Sequence, residues 1–295
     1  MNKKTTTLLI AAIAVLAILY WVFALPSVGN PEIATDAASI ERGAYMYQAG
    51  GCGACHQDEG AEGPSGGMLL ESPVGGTFTV PNITSDVETG IGGWTGRDFM
   101  LALKHGRKSN GGFYWPAFPY RTYKGMTDQD ALDLAAYVVT IPAISNEVPG
   151  HDLPGWQFSW MMAGWSIMAD FLEGTPPAVA DDPQLQRGAY LARALGHCGE
   201  CHTPRNVFGI MKRGEEFAGV DMEAPEIDAA GLSSWSEEDF LALLQLGMTP
   251  SFDFVGGHMA KVIEHTNQLT EEDQLAYTAF FKRDLGEGAT QNSAE

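Results

Sequence analysis

Positive charge is scarce in this chain. Lys and Arg together number 17 against 37 Asp and Glu, a formal net charge of −20. Nucleic acid is bound by clustered Lys and Arg that displace its counterions, so the sign of the charge argues against nucleic acid as a partner. The acidity reads instead as a solvated surface, or one that selects its partner by charge. Cysteine is scarce too: four in 295 residues, all in two Cys-x-x-Cys pairs. None is left over for a disulfide or a lone nucleophile. Nothing obliges the fold to be stapled, because 45% hydrophobic residues over this length are enough for real cores, about two domains of them.

Both pairs continue into histidine: Cys52-Gly53-Ala54-Cys55-His56 and Cys198-Gly199-Glu200-Cys201-His202. Two thiols three positions apart on one turn can each form a thioether with a haem vinyl group, and the next imidazole then faces the iron. A zinc ribbon would separate its two Cys pairs by roughly 15–20 residues, whereas 142 lie between Cys55 and Cys198. A thioredoxin-like pair would explain neither the second pair nor the two histidines. The cofactors expected are therefore two covalently bound haem c groups.

The chain opens with Lys3 and Lys4 followed by 18 uncharged apolar residues, Leu8 to Leu25. A signal-peptide core needs about 7–15 such residues and a membrane span about 20, so the run reads as an anchor. A cleaved signal peptide ending at Val22-Phe23-Ala24 is the alternative. The preceding lysines favour a cytoplasmic N-terminus and a periplasmic remainder. The expected organisation is an anchor and tether over 1–37, a first domain over 38–145, an apolar Trp- and Met-rich strap over 146–182, a second domain over 183–285 and a disordered polar tail over 286–295.

Within the first domain, Ile40, Gly43, Ala44 and Tyr47 share one helical face leading into the first haem motif. A Gly-rich loop without regular structure is expected from Asp58 to Gly93, then a helix over Trp94 to His105. A capping box at Thr127 to Asp130 starts a helix whose stripe is Leu132, Ala135, Ala136 and Val139. The same landmarks return roughly 145 residues later: Gly188 and Ala189 before Cys198, Pro225 for Pro81, Trp235 for Trp94, and Thr270 to Asp273 for the capping box. The chain is a duplication. The strap, with Trp156, Trp160 and Trp165, is too apolar for a free linker and is expected to pack between the domains, or also to rest on a membrane or partner surface.

His56 and His202 are proximal iron ligands by position. A distal ligand should come from the loop before the last helix of each unit, and methionine there raises the reduction potential. In the second unit, Phe254-Val255-Gly256-Gly257-His258-Met259 offers Met259, with His258 as rival. In the first, Trp115-Pro116-Ala117-Phe118-Pro119-Tyr120 has no ligand at Phe118. Met126 is the nearest sulfur, and His105, Met68 or a five-coordinate iron are the alternatives. Arg121 and Arg205 are candidate partners for haem propionates. Pro81 and Pro225 shape the loops whose carbonyls orient the proximal imidazoles.

Taken together, Arg42-Gly43-Ala44-Tyr45, Pro81-Asn82-Ile83-Thr84, Pro116-Ala117-Phe118-Pro119-Tyr120, Arg187-Gly188-Ala189-Tyr190 and Cys198 to Asn206 resemble the membrane-anchored dihaem cytochrome c proteins. These are related to the cytochrome c subunits of periplasmic alcohol- and gluconate-type dehydrogenases. The resemblance covers residues 38 to 285 and implies an all-α chain of two tandem class I cytochrome c domains after an N-terminal transmembrane helix. It pairs Gly43 with Tyr137 and Gly188 with Phe280 at the crossing of first and last helices. It also implies electron transfer, from a dehydrogenase or quinol-oxidising complex to an oxidase or soluble cytochrome c, at the periplasmic face of the inner membrane. Dehydrogenase cytochromes typically carry three haems where this chain has two motifs, and many relatives have methionine where this chain has Phe118. The alternative from another class is a dihaem enzyme, a peroxidase or sulfur-compound oxidase, with an open first haem.

Met126→Ala and Met259→Ala are each expected to remove the Met-to-Fe(III) charge-transfer band of one haem. An unchanged absorption spectrum excludes the substituted residue as a ligand.

Overall fold

The computed structural model describes residues 3–73 and 75–283, and the tail expected over 286–295 lies outside them. The chain is built of helices. The first, α1 (Lys3–Phe23), is apolar all round, and none of its described residues is buried. Its 21 residues, with an 18-residue stretch of mean hydropathy 2.4, are long and apolar enough to cross a membrane. The segment that follows is docked rather than free. Arg97 donates to the Val28 carbonyl at 2.6 Å and through its amide to Asn30. A Cβ at Gly96 would lie 2.2 Å from the Pro31 carbonyl oxygen.

The first half contains α2 (Ala37–Ala49), α3 (Cys52–His56), α4 (Gly96–His105), α5 (Tyr120–Tyr123) and α6 (Asp128–Val138). The strap contains α7 (Met162–Leu172). The second half repeats the order with α8 (Pro183–Tyr190), α9 (Gly199–His202), α10 (Glu237–Leu246), α11 (Gly257–Thr266) and α12 (Glu271–Lys282). Local chemistry sets the boundaries. Asp36 and Asp182 cap the N-termini of α2 and α8 with their side chains, and α4 and α10 begin in full capping boxes, Thr95 with Asp98 and Ser236 with Asp239. Both α4 and α10 stop at a left-handed glycine, Gly106 and Gly247.

One expectation needs correcting. The Gly-rich loop after Asp58 is not wholly irregular: β1 (Leu69–Glu71) and β2 (Thr77–Thr79) form a short antiparallel hairpin with Leu69 opposite Thr79. The alternation is too short to stand out among the glycines.

In each half the first and last helices cross at a glycine. A Cβ at Gly43 would fall 1.8 Å from the Asp133 carbonyl oxygen and 2.8 Å from the Tyr137 Cβ. At Gly188 the corresponding distances are 2.0 Å to the Ala276 oxygen and 2.6 Å to the Phe280 Cβ. Only glycine permits so close an approach. The preceding arginine locks each crossing: Arg42 Nε donates to Asp133 at 2.6 Å, and Arg187 grips Asp273 through two bonds of 2.7 Å.

The tyrosine two residues after each glycine crosses to the other half. Tyr45 donates to Asp273 at 2.5 Å and accepts from the Thr270 amide at 3.2 Å. Reciprocally, Tyr190 donates to Asp130 and accepts from the Thr127 amide at 3.0 Å. Thr127 and Thr270 do cap their helices, while the carboxylates expected to complete those capping boxes accept from the opposite half's tyrosine. Beneath these bonds one hydrophobic cluster runs through both halves, from Met46, Phe99 and Met126 to Leu195, Tyr277 and Phe281.

Burial opposes ionisation of Asp273, but the hydrogen bonds from Arg187 and Tyr45 outweigh it and hold its carboxyl below the ordinary range. An unfolded Asp titrates near about 3.9, so between that value and the lower folded one the unfolded chain binds more protons. The contribution of Asp273 is complete at neutral pH and is lost as pH falls through the folded value. Denaturant midpoints measured down the acid limb should fall, and Asp273→Asn should flatten that part of the fall while lowering the neutral-pH midpoint.

Candidate haem-attachment sites

Each Cys-x-x-Cys-His segment is entered through a left-handed residue, Gly51 at φ 57° and His197 at φ 44°. The turn redirects the chain from α2, or from the π-helical turn Leu191–Leu195 that follows α8, into α3 or α9. Glycine adopts it freely, whereas a histidine there is strained. What holds His197 is the other half: its Nε2–H donates to the Gly50 carbonyl at 3.2 Å, and its ring meets Tyr123 edge-on. Burial lowers the ring's pKa and keeps it neutral.

No disulfide joins any of the four cysteines. Burial pushes Cys52 and Cys198 up to about 12, so both stand as neutral thiols. His56 Nδ1 lies 2.8 Å from the Pro81 carbonyl and His202 Nδ1 lies 2.7 Å from the Pro225 carbonyl. A carbonyl can only accept, so Nδ1 carries the proton and Nε2 keeps its lone pair for a metal. Burial lowers the pKa of both imidazoles, which favours the same neutral form.

Two glycines that sequence reasoning passed over build this arrangement. The amides of Gly66 and Gly219 donate to the backbone carbonyls of His56 and His202, at 2.8 and 2.9 Å. Both residues are left-handed, and a Cβ on either would stand 2.5 Å from the backbone of the proline loop. Their signal in the sequence was faint: one glycine in a glycine-rich run and one isolated. The donor set therefore fits covalently attached haem in both halves, with two neutral thiols on one turn and an imidazole whose other nitrogen is already engaged.

Met126 is buried, 3% exposed, immediately before α6, and the neighbouring Tyr123 hydroxyl donates to the Gly50 carbonyl at 3.3 Å. Phe118 packs against Tyr114 and Tyr123. Met259 is half-buried against the core and His258 is exposed. The segment read as a loop there is the first turn of α11. Its helix was hidden because Gly256 stands at its N-cap and Gly257 opens it, although Met259, Ile263 and Thr266 are helically spaced. His105 is exposed and Met68 half-buried.

Arg121 and Arg205, far apart in sequence, line one shallow cleft together with Arg213, Glu173 and Glu200. Arg121 pairs with Glu173 and Asp170, and Arg205 with Glu200. Arg213 was not anticipated. Its Nε is buried without a hydrogen bond and forms an ion pair with Glu173 at 3.4 Å.

The two motifs adjoin. Besides the bond from His197 to Gly50, Thr122 donates to Glu200, inside the second motif, at 2.6 Å. From α11, His265 Nδ1–H donates to Gln48 at 2.7 Å, and its Cε1 would lie 3.2 Å from a Cβ at Gly53, inside the first motif. The thiol of Cys55 is raised by burial, lowered by Lys261 of α11 and raised again by Cys201 of the opposite motif.

The family described as Cytochrome c matches residues 40–142. A protein of Cereibacter sphaeroides named Diheme cytochrome c-type is 38% identical over 274 residues, covering 88% of this chain and 90% of that protein. The Gluconate 2-dehydrogenase cytochrome c subunit of Pantoea cypripedii is 34% identical over 267 residues, 84% of this chain and 60% of that subunit. The Alcohol dehydrogenase (quinone), cytochrome c subunit, of Gluconobacter oxydans is 33% identical over 270 residues, 85% of this chain and 55% of that subunit. The chain thus spans little more than half the length of these dehydrogenase subunits.

His197→Ala removes the bond to Gly50 and keeps the backbone strain, whereas His197→Gly removes both. In denaturant unfolding of the haem-loaded protein, the glycine variant should be the more stable of the two by about 1 kcal/mol. Equal stabilities would mean that position 197 is not left-handed in solution.

Proposed function

The chain belongs to the dihaem c-type cytochromes related to the cytochrome subunits of quinone-dependent dehydrogenases, and from that premise we propose that it is the electron relay of a membrane-bound dehydrogenase complex. Haem c supplies a one-electron iron couple when bound. The observation that carries the reading is the adjoining pair of Cys-x-x-Cys-His segments, each with its imidazole Nδ1–H on a proline carbonyl. Cys52 with Cys55, and Cys198 with Cys201, would carry the thioethers, and His56 and His202 would each hold an iron. Met126 and Met259 would supply a methionine sulfur to the first and the second haem. Arg121 and Arg205 would partner propionates, with Arg213 beside them.

The attachment segments sit in two cytochrome c domains, 38–145 and 183–285, joined by the strap over 146–182. The bonds across their interface keep the distance between the two sites constant, which is what a relay requires of its polypeptide. α1 anchors the domains at the periplasmic face of the inner membrane, a reading supported by its length and apolar composition. A dehydrogenase that removes two electrons from its substrate would deliver them one to each haem, and the exit is to an oxidase or a soluble cytochrome.

The full chain, isolated from solubilised membranes with whatever subunits accompany it, decides the proposal. A dehydrogenase subunit should copurify, and its substrate should reduce both haems in the absorption spectrum. A chain that purifies alone, resists reduction by such a subunit and turns over peroxide or thiosulfate would replace the relay with the enzyme reading.

A further inference from the structure

The strap helix α7 is amphipathic the wrong way round for a helix lying on a water-soluble domain. Ser166, Asp170 and Glu173 recur at i, i+4 and i+7, and this polar stripe is the one docked on the protein. Ser166 shares a 3.0 Å hydrogen bond with the Tyr120 hydroxyl, while Arg121 donates to Asp170 at 2.9 Å and to Glu173 at 3.0 Å. On the opposite side Trp160, Met161, Gly164, Phe171 and Leu172 turn outward, and Met168 is half-buried. Phe171 is 83% exposed and Trp160 58%. Trp156 and Phe158, just before it, are also exposed, and Phe158 stacks on Trp160. A surface helix normally buries its apolar stripe and shows its polar one to water. Here Arg121 holds the polar stripe down, and the apolar side, with Trp160, Met161, Phe171 and Leu172, stays exposed among the described residues.

Three observations say what covers it. Residues 153–169 contain no Asp, Glu, Lys or Arg, and Trp-bearing apolar helix faces of this kind settle at the boundary of lipid headgroups and acyl chains. α7 touches α1, the helix long and apolar enough to cross a membrane. The end of α1 is also fixed to the domain: Arg107 donates to the Phe23 carbonyl at 2.8 Å and to the Ala24 carbonyl at 3.2 Å, and Phe23 packs edge-on against Phe113. A bilayer crossed by α1 therefore ends where α7 begins.

We propose that the strap is a second, interfacial membrane contact: the outward face of α7, with Trp156 and Phe158, lies in the outer boundary of the lipid bilayer beside α1. It rests on the reading of α1 as a membrane anchor. With two fixed contacts instead of one flexible stalk, the haem domains take a single orientation on the membrane. Both haem-attachment segments then stand at set heights above the lipid, and a membrane-embedded donor meets the same edge of the protein at every encounter.

The test uses the full haem-loaded chain in zwitterionic lipid vesicles, with a nitroxide on a single introduced cysteine, the four native thiols being held as thioethers. Met161→Cys and Phe171→Cys report the strap, Leu16→Cys the anchor, and Val87→Cys an exposed site of the first half. Collision with dissolved oxygen relative to a water-soluble nickel chelate should be severalfold higher at 161 and 171 than at 87, and highest at 16. If position 16 is in lipid while 161 and 171 match 87, the strap proposal fails and the anchor stands. If position 16 also matches 87, both fail. Protection of 161 and 171 only after a dehydrogenase subunit is added would show a protein covering the face, and the lipid proposal would fall.

Discussion

The structure depends on one close approach, made twice, of a helix backbone to a helix backbone. α2 meets α6 at Gly43, and α8 meets α12 at Gly188, where the space for a Cβ is occupied by a carbonyl oxygen 1.8 or 2.0 Å away. The first attachment turn and Met126 hang from the ends of two of those helices. α2 ends at Ala49, two residues before the left-handed turn into Cys52, and α6 begins beside Met126. A crossing held that tightly fixes how far apart the attachment turn and the opposite loop can be. The guanidinium that precedes each crossing glycine, bonded to a carboxylate on the partner helix, resists rotation of one helix over the other.

The same four-residue run that makes the crossing also makes the dimer-like contact between halves. In Arg-Gly-Ala-Tyr the arginine and glycine face inward to their own unit and the tyrosine reaches out to the other. Because both halves carry the run, the contact is reciprocal, as at the interface of a two-fold dimer. A duplicated unit already matched to itself needs no new surface to pair with its copy. The pairing has a cost at one point: His197 occupies a left-handed position that glycine fills in the first half, and its bond to Gly50 is the compensation.

The strap shows a different economy of charge. Arg121, read from sequence as a propionate partner, sits with its guanidinium between Asp170 and Glu173, where it both lines the inter-half cleft and pins α7. One side chain thereby connects the region around Phe118 to the helix that stands against α1. The acidic surface and the outward apolar face of α7 are separate features of the molecule, since no charged residue falls within 153–169.

The chemistry was legible from residue order alone, because thioether attachment requires two thiols three positions apart on one turn with an imidazole directly after the second. No distant part of the chain can change that spacing. The caps at Thr127 and Thr270 were legible for the same reason, each being a short-range hydrogen-bonding demand, whereas the glycine crossings were expected only from the resemblance to the cytochrome c family. Only the tertiary structure decided the rest, where the partner comes from far along the chain. It alone showed Asp130 and Asp273 turned to tyrosines of the other half, Gly66 and Gly219 holding the proline loops, and Met259 on the first turn of a helix. It also brought Arg205 and Arg121 into one cleft with Arg213. Spacing in sequence determines what a turn can bind, while which groups meet across a fold is set by packing between helices, and the local pattern is silent about that.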